Sequence, residues 1–407
     1  MPTGTYRASA FLAAARRLDL EVVVASEEPS TLGATHPGSE LVVDFQRPEQ
    51  APEGLPGVTR VGAIAAVVPV DETAVMVASH LALALGVPGN HPSAALATRD
   101  KSILRAQLQA GGVPQPEWVL WEGEDPPPWD IFPAVLKPLD QAASRGVVRV
   151  DGWAQLAAEG RRIRHLLAHD PRCAPGPGEG IAPLLIEGFV PGPEVAVEAL
   201  TRNGRLVPLA IYDKPEPLDG PYFEETIYTV PTALPGDAQR ALLTSLEAAA
   251  EAVGLGTGTV HAELRLGQGL PRVIDMASRS IGGRCSAVLR FESGHTLEEL
   301  ILANALGDPL PNLDLEEGGF GVMMLPVPRA GRLLAVEGRE ASLAVAGVES
   351  LQVAVPIGGR VEPPPGGDRY LGFLFAHGAD GAQAAAALSE AHSRLRFDIE
   401  EEDQDGG

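Results

Sequence analysis

The first 95 residues alternate short apolar segments with helical ones, and this alternation constrains the fold more than any other feature of the chain. Strands are predicted at Leu20 to Ala25, Glu40 to Asp44 and Ile64 to Pro69, and helices at Ala8 to Leu18 and Glu72 to Leu85. Because strands that alternate with helices form βαβ units, the pattern predicts a parallel sheet of the α/β class.

Both ends of the chain depart from this pattern. Pro2 to Arg7 looks like the turn after a first strand, so we expect that strand to be absent from the domain or the start to be truncated. From about Gly318, strand-like segments surround glycine turns and a helix from Gly381 to Leu395 follows, which predicts a separate α+β domain. The acidic tail Glu400 to Gly407 is predicted to be disordered, and the Pro/Gly-rich Pro171 to Gly180 to be a surface insertion.

Whole-chain composition excludes several kinds of partner. The net charge of −23 at pH 7 argues against nucleic acids and anionic membrane surfaces, because both are negatively charged. The longest apolar runs, such as Val61 to Val70, are too short to cross a bilayer, and no secretory signal opens the chain. Cys173 and Cys285 form no metal or disulfide pattern. These features predict a cytoplasmic protein.

Lysine is rare in this chain, since only three of its 31 basic side chains are lysines. A lysine is a compact point charge that suits a single phosphate oxygen, whereas arginine is a planar fork. Lys101 opens a helix that Thr98 is predicted to cap and that runs to Ala110, and Lys137 ends a strand. Chance survival explains any one lysine, but two in such contexts favour nucleotide binding.

A predicted hairpin carries two carboxylates. Its strands, Thr259 to Leu266 and Arg272 to Met276, are joined over Gly267-Gln268-Gly269. Alternation along the first strand puts His261, Glu263 and Arg265 on one face. The second strand brings Asp275 roughly opposite Glu263. Two close carboxylates need a cation, and oxygen ligands on rigid strands suit Mg²⁺ that bridges phosphates. A surface hairpin with solvated charges would give the same pair.

An arginine and a glycine turn follow the hairpin. Arg279 comes four residues after Asp275, and Gly282 and Gly283 begin a turn with exposed backbone. An arginine in this position can hold a transferred phosphoryl group and offset its developing charge. The combination therefore favours a functional site over an ordinary surface hairpin.

The order of these features along the chain resembles the ATP-grasp superfamily, and the resemblance covers most of the chain. It implies that Lys101 and Lys137 contact the phosphates of ATP. It also implies that Gln141 to Gly146 is a mobile glycine-rich loop over those phosphates, with Ser144 and Gly146 among the ATP-binding residues.

The same resemblance implies positions for the base, the ribose and the metal. Glu187-Gly188-Phe189-Val190 matches the hinge that meets adenine with backbone atoms, so Glu187, Phe189 and Val190 are expected at the nucleotide. Glu194 matches the ribose-binding acid. The implied Mg²⁺ ligands are Glu263 and Asp275, and Arg279 is the implied catalytic arginine.

Two positions depart from the ATP-grasp pattern. The second metal ligand is usually a glutamate, and here it is the shorter Asp275. Two residues later the family usually has an asparagine that also binds metal, and here the residue is Ala277. The number of bound magnesium ions, one or two, stays open at this point.

The C-terminal region narrows the resemblance. Gly321 to Pro326 and Tyr370 to Ala376 look like the closing domain of L-amino-acid ligases, which are ATP-grasp carboxylate–amine ligases. The implied fold is α/β and α+β, an ATP-grasp fold with an N-terminal parallel-sheet domain and a C-terminal α+β domain. The implied divisions are 1–96, 97–315 with a lid at about 101–190, 316–399 and an acidic tail at 400–407.

The resemblance implies an ADP-forming ligase that makes an amide through an acyl phosphate, with ATP and Mg²⁺ as cofactors and a small carboxylate and amine as substrates. Lys214 is expected to reach substrate or phosphate, or to pair with Asp213 in a loop. Glu225 is the candidate for the substrate ammonium, His261 for the base that deprotonates the amine, and Gly282 and Gly283 for backbone contacts to substrate.

Two other functions remain open on the sequence. One is an ATP-grasp carboxylase that phosphorylates bicarbonate. The other is a nucleotide-binding protein without catalysis, which Asp275 and Ala277 favour and Arg279 opposes. The sequence names neither substrate, and a homodimer is an expectation.

Overall fold

A computed structural model describes residues 5, 7–29, 39–58, 61–169, 181–267, 269–367 and 369–401 of the 407-residue chain. The predicted insertion at 171–180 and most of residues 1–6 lie outside the described residues. The described strands are β1 Val24–Ser26, β2 Glu40–Val42, β3 Trp118–Trp121, β4 Ala134–Pro138, β5 Val148–Val150, β6 Leu184–Gly188, β7 Glu194–Arg202, β8 Arg205–Asp213, β9 Ile227–Val230, β10 Gly258–Arg265, β11 Arg272–Ala277, β12 Gly319–Leu325, β13 Gly331–Glu337, β14 Val348–Val353, β15 Arg360–Val361, β16 Gly372–Gly378 and β17 Arg396–Glu400.

Helices lie between groups of these strands. The described α-helices are Ala8–Arg17, Val75–Leu85, Pro92–Arg99, Lys101–Ala110, Trp153–Ala168, Gly236–Val253, Leu297–Leu306, Arg339–Leu343 and Gly381–Ser393, and the described 3-10 segments are Pro48–Gly57, Val61–Ala63 and Cys285–Val288. In the part of the chain that the structure describes, no helix is both long and apolar enough to cross a membrane.

The N-terminal region contains the expected parallel pairing, between β1 and β2. The predicted strand at Ile64 to Pro69 is wrong, because this segment is extended but joins no described sheet. Its apolar side chains pack instead against two different clusters, Ile64 and Val67 against one and Val68 against another. An apolar run can therefore reflect packing on two sides rather than membership of a sheet.

Two consecutive helices replace the single helix predicted after Thr98. Thr98 lies inside the first helix, Pro92–Arg99, where its hydroxyl donates to the Ala95 carbonyl at 2.9 Å. The cap of the second helix, Lys101–Ala110, is Asp100, whose carboxylate accepts from the backbone N–H of Ser102 at 2.8 Å. The predicted cap was wrong by two residues because aspartate is the better acceptor at this position.

A four-stranded antiparallel sheet with the order β3-β6-β4-β5 lies within the predicted lid and is called the lid sheet here. The helix Trp153–Ala168 packs on it through a core that includes Leu156, Ile163 and Trp121. In the register of β4 and β6, Val135 lies opposite Glu187 and Lys137 opposite Leu185. This pairing brings the second rare lysine next to the predicted adenine hinge.

A larger sheet of eight described strands has the order β11-β10-β7-β8-β9-β12-β16-β14. The helix Gly236–Val253 covers one face, against alternate residues of β10 such as Val260, Ala262 and Leu264. His261 and Glu263 therefore point to the opposite face, as the alternation predicted. Glu263 pairs with Asp275 across the hairpin, which confirms the predicted register.

The C-terminal strands extend this large sheet instead of forming a detached one. Met323 of β12 pairs with Ile227 of β9, so the ladder crosses the predicted boundary at 316 without a break. A second sheet, in the order β15-β13-β17, packs beside it. Glu400 ends β17 and is not part of a disordered tail, while residues 402–407 lie outside the described residues.

Candidate active site

A cavity of about 1200 Å³ lies between the lid sheet, the large sheet and the C-terminal region. Most of the site residues predicted from the sequence line it: Lys101, Lys137, Ser144, Glu187, Phe189, Val190, Glu194, Glu225, His261, Glu263, Asp275, Arg279, Gly282 and Gly283. Of the remaining two, Lys214 is buried behind this lining and Gly146 lies in the loop beside it. The topology thus gathers residues that are up to 182 positions apart, from Lys101 to Gly283, at one cavity.

Lys101 and Lys137 both line the cavity, and each contacts the carboxylate hairpin. Lys101 Nζ donates to the Gln141 carbonyl at 2.8 Å and lies 3.7 Å from Asp275 Oδ2. Lys137 Nζ lies 2.9 Å from Glu187 Oε2 and donates to the Ile274 carbonyl at 2.9 Å. Both ammonium groups therefore lie beside the carboxylate hairpin, where the phosphates of a nucleotide would need positive charge.

The loop at residues 141–146 has an unusual backbone. Ala143 and Ser144 adopt positive φ angles of 54° and 53°, and Gly146 has φ of 72°. A Cβ atom on Gly146 would lie 2.8 Å from Pro138 Cγ, so this position favours glycine. The Gly146 N–H donates to the Pro365 carbonyl at 3.2 Å, which ties the loop to the C-terminal region.

The hinge carboxylate is fully buried and paired with two cations. Glu187 lies 2.6 Å from Arg105 Nε and 2.9 Å from Lys137 Nζ. Burial opposes its ionisation, but Arg105 and Lys137 hold the pKa of Glu187 below its usual value. Arg105 also donates to the Val273 and Ile274 carbonyls of β11, at 2.9 and 2.6 Å. This cluster holds the lid sheet against the hairpin.

The segment predicted to meet adenine contacts two arginines. The ring centroid of Phe189 lies 4.7 Å from the Arg149 guanidinium and 4.8 Å from that of Arg265. Arg265 also donates to the Val190 carbonyl at 3.0 Å and pairs with Glu194 at 2.8 Å. Arg265, the third residue of the predicted hairpin face, therefore connects the hinge with Glu194, the predicted ribose-binding acid.

Three carboxylates meet around Lys214, and we call Glu194, Glu225 and Glu263 the acidic trio. One oxygen from each lies within 4.8 Å of the others. Lys214 Nζ lies 2.6 Å from Glu194, 2.5 Å from Glu225 and 2.8 Å from Glu263. The predicted alternative of an Asp213–Lys214 pair is wrong, since Asp213 instead accepts from the Ala233 N–H at 2.7 Å.

The acidic trio has strongly perturbed ionisation. Burial, and then the charge of Glu263, raises the pKa of Glu225 to about 8. Burial opposes ionisation of Glu263 too, but the Lys214 ammonium holds the pKa of Glu263 below its usual value. Burial alone would lower the pKa of Lys214, whereas the three carboxylates raise it well above its usual value. Glu225 therefore keeps its proton at neutral pH, and the clustered carboxylate oxygens form a donor set that suits a hard cation once that proton is displaced.

His261 lies between two carboxylates. Its Nε2 is 3.9 Å from Glu263 Oε1, and its Nδ1 is 3.4 Å from Glu198 Oε2. Glu198 is fully buried on β7, and burial raises its pKa. The Ile281 N–H donates to Glu198 at 3.0 Å, so the same carboxylate holds the loop that carries Arg279.

Arg279 lies at the rim of the cavity beside Glu72. Arg279 Nε is 2.8 Å from Glu72 Oε2, and Arg99 is 3.3 Å from Glu72 Oε1. The turn that follows is closely packed, because a Cβ atom on Gly283, whose φ is 58°, would lie 2.4 Å from Met324 Sδ. The loop therefore has little freedom to move Arg279 away from the cavity.

Several charged residues at the cavity were missed or left undecided by the sequence reasoning. They are Arg7, Glu72, Arg105, Glu198 and Arg265. Glu198 had a usable signal, since it lies on the same face of β7 as Glu194 by period two. Arg7 and Arg105 had none, because their partners, such as the Ser280 carbonyl 2.9 Å from Arg7, are distant in the sequence.

Comparison with known protein families defines the class. A model of the ATP-grasp domain matches residues 131–288, and a model of the L-amino acid ligase C-terminal domain 2 matches residues 323–400. The crystal structure of an L-amino acid ligase from Bacillus licheniformis superposes with a TM-score of 0.78 at 24% identity, covering 96% of this chain and 95% of that one. The chain has the ATP-grasp fold. More particularly, it resembles the carboxylate–amine ligases of the L-amino acid ligase type.

Two relatives agree with this resemblance over part of their length. The chain is 32% identical over 209 residues to carnosine synthase 1 of Gallus gallus, which is 50% of this chain and 22% of that protein. It is 26% identical over 235 residues to alanine–anticapsin ligase of Bacillus subtilis, which is 54% of this chain and 49% of that protein. The chain therefore matches about a fifth of the first relative and about half of the second.

Proposed function

We propose that this chain is an ADP-forming ligase that joins a carboxylate to an amine through an acyl phosphate. The observation that carries the proposal is the convergence of Lys101, Lys137, the acidic trio and Arg279 on one cavity. The match of residues 323–400 to an L-amino acid ligase domain supports amino acids as the substrate class.

ATP would bind between the lid sheet and the hairpin. Lys101 and Lys137 would neutralise its phosphates, and the loop at 141–146 would cover them. The backbone of Phe189 and Val190 would meet the adenine, and Glu194 would meet the ribose. The short bond of Lys101 to the Gln141 carbonyl supports this arrangement, because it already joins the loop to a phosphate-binding lysine.

Mg²⁺ fits the donor set at the hairpin. Glu263 and Asp275 pair directly across β10 and β11, and the acidic trio adds two further carboxylates next to Glu263. A divalent cation there would offset the repulsion between these carboxylates and the phosphates. Lys214 would hold the trio together while the nucleotide binds, since it contacts all three carboxylates.

The first chemical step would form the acyl phosphate. An oxygen of the substrate carboxylate attacks the γ-phosphorus, the bond to the bridging oxygen breaks, and ADP leaves. Arg279 would stabilise the charge on the transferred phosphoryl group, and its ion pair with Glu72 would hold the guanidinium in place. The N–H groups of Gly282 and Gly283 would offer further contacts to substrate.

The second step would form the amide. The amine nitrogen attacks the acyl carbon, the carbon–oxygen bond to phosphate breaks, and inorganic phosphate leaves. Glu225, which lines the cavity, would bind the substrate ammonium in its ionised form. His261 would take the proton of the attacking amine, since it lies in the cavity beside Glu263.

The test is a turnover assay with ATP and Mg²⁺ across a panel of amino acids and other carboxylate–amine pairs. We expect ADP and phosphate in equal amounts, together with a new amide mass. Glu263→Gln should abolish turnover, whereas Glu337→Gln, an exposed control, should not. AMP and pyrophosphate would overturn the acyl-phosphate route. Bicarbonate-dependent ATP hydrolysis without an amide would indicate a carboxylase, and ATP binding without turnover a non-catalytic protein.

The cytoplasmic location and the homodimer expected from the sequence remain predictions. Analytical ultracentrifugation of the purified chain would test the dimer directly, since a monomeric mass at micromolar concentration would contradict it.

A further inference from the structure

The C-terminal wall of the cavity differs in charge from the rest of its lining. Three arginines line this wall, and we call Arg284, Arg360 and Arg369 the basic wall. Among the described residues that line the cavity, every acidic side chain comes from position 275 or earlier. In a chain with a net charge of −23, a wall of this kind attracts anions that the protein as a whole repels.

Arg284 holds a backbone conformation that non-glycine residues seldom adopt. Its φ is 56°, in the left-handed region, and it directly precedes the 3-10 segment Cys285–Val288. Its guanidinium donates to Gln352 Oε1 and lies 5.8 Å from the ring centroid of Phe373. Such strained residues cluster at functional sites, because the surrounding structure must hold them there.

One loop therefore presents two arginines to different parts of the cavity. Arg279 pairs with Glu72 of the N-terminal region, whereas Arg284 contacts Gln352 and Phe373 of the C-terminal region. If Arg279 serves the reacting phosphoryl group, Arg284 lies where an anion on another part of the substrate would be bound.

The surroundings of the basic wall suit a small organic anion. Tyr370 and Phe373 line the same wall, with their ring centroids 6.3 Å apart in an edge-to-face arrangement. Arg360 and Arg369 line the cavity and are exposed to solvent. Arginine binds a carboxylate with two hydrogen bonds. The neighbouring aromatic rings would pack against the short chain of carbon atoms that carries the carboxylate.

We propose that the basic wall binds a substrate carboxylate that does not react. This inference rests on the proposed ligase function and names the substrate class of that site. The non-reacting carboxylate has two sources. It is either the second carboxylate of a dicarboxylic acyl donor or the α-carboxylate of an amino acid that serves as the amine.

Substrate pairs that differ only in this carboxylate separate the two sources. Aspartate and glutamate are compared with asparagine and glutamine as donors, and amino acids are compared with their α-amides as amines. We expect the anionic member of one pair to have a KM at least about tenfold lower, with kcat within about twofold. The pair that shows the difference identifies the source.

Variants of the wall test whether these arginines are responsible. Arg360→Gln combined with Arg369→Gln should raise the KM for the anionic substrate about tenfold and leave the amide form unchanged. Arg284→Asn, which tolerates positive φ, should show the same split between the two substrates. Arg396→Gln, an exposed C-terminal position 78% accessible and outside the cavity lining, is the matched control.

A binding measurement separates failure of the inference from failure of the ligase. Titration calorimetry with ADP, Mg²⁺ and each amino acid needs no turnover. If amides form but the paired substrates and wall variants give equal KM values, the basic wall proposal is overturned and the ligase stands. If no amide forms but an acidic amino acid binds and loses about tenfold affinity in the wall variants, the wall stands and the ligase fails. Absence of both binding and turnover overturns both.

Discussion

The hinge and the acidic trio handle buried charge in opposite ways. At the hinge, the single carboxylate of Glu187 meets two cations, Arg105 and Lys137. In the trio, three carboxylates share Lys214, while Glu194 also pairs with Arg265 and Glu263 lies 3.9 Å from His261. The hinge is thus compensated by two cations, whereas the trio keeps its third carboxylate, Glu225, protonated at neutral pH. The contrast distinguishes a charge cluster that stabilises the fold from a cluster that could bind a cation.

The largest expected effect comes from breaking the compensated cluster. Arg105→Met leaves Glu187 buried with one partner fewer, and it removes the donors to the Val273 and Ile274 carbonyls. We expect the free energy of unfolding to fall by about 3 to 5 kcal/mol, because an uncompensated buried charge is costly. Urea denaturation followed by circular dichroism measures this. Arg396→Met should change it by less than about 0.5 kcal/mol, and a similarly small change for Arg105→Met would show that the hinge pair is not structural.

Removing a charge from the trio should act on turnover and not on stability. Glu263→Gln keeps the shape of the side chain but deletes a carboxylate from a site with too many. We expect ADP release to fall at least about 100-fold, which is about 2.7 kcal/mol of transition-state stabilisation. The melting temperature should stay the same or rise, since like-charge repulsion is relieved. A variant that melts much earlier would mean that the trio, like the hinge, mainly holds the fold.

Local patterns predicted much of this site, because strand alternation and hairpin register depend on neighbours in sequence. His261, Glu263 and Asp275 were placed correctly for that reason. The trio was not foreseen, because Lys214 follows β8 and Glu225 precedes β9, and only the sheet order brings them to Glu263. Three carboxylates around one ammonium is a long-range property that spacing does not encode.

The fold shows the same division between local and distant information. The helices predicted at Ala8 to Leu18 and Gly381 to Leu395 begin where the structure has them and end within two residues of the observed ends, since periodicity defines them locally. The pairing of β12 with β9 was not predicted, because a change in glycine content along the sequence does not show whether strands pair across it. The strand predicted at residues 64–69 was wrong for a related reason. An apolar run does not reveal whether a partner strand exists.

The crowding of carboxylates in the trio should also be visible as a pH dependence of stability without metal. Glu225 has a pKa of about 8 in the folded protein, above the usual value of 4.5 for glutamate. Its contribution to stability is therefore fully present below pH 4.5 and is lost as the pH rises through about 8. Over that window, we expect stability to fall by up to about 1.4 kcal/mol per pH unit. Urea midpoints measured from pH 5 to pH 8 with EDTA should flatten in Glu225→Gln, and an unchanged slope would contradict the assignment.

The smallest effect expected is the response of the two clusters to Mg²⁺ alone. A cation that binds the folded chain stabilises it by about 1.4 kcal/mol at ten times its Kd, which for a chain of this size raises the melting temperature by a few degrees at most. The proposed cation site includes Glu263 and no residue of the hinge, so Glu263→Gln should remove the shift while Lys137→Met should retain it. The same titration with K⁺ at equal ionic strength controls for screening. If Lys137→Met loses the shift and Glu263→Gln keeps it, the proposed site is wrong, because the cation would then depend on the hinge and not on the trio.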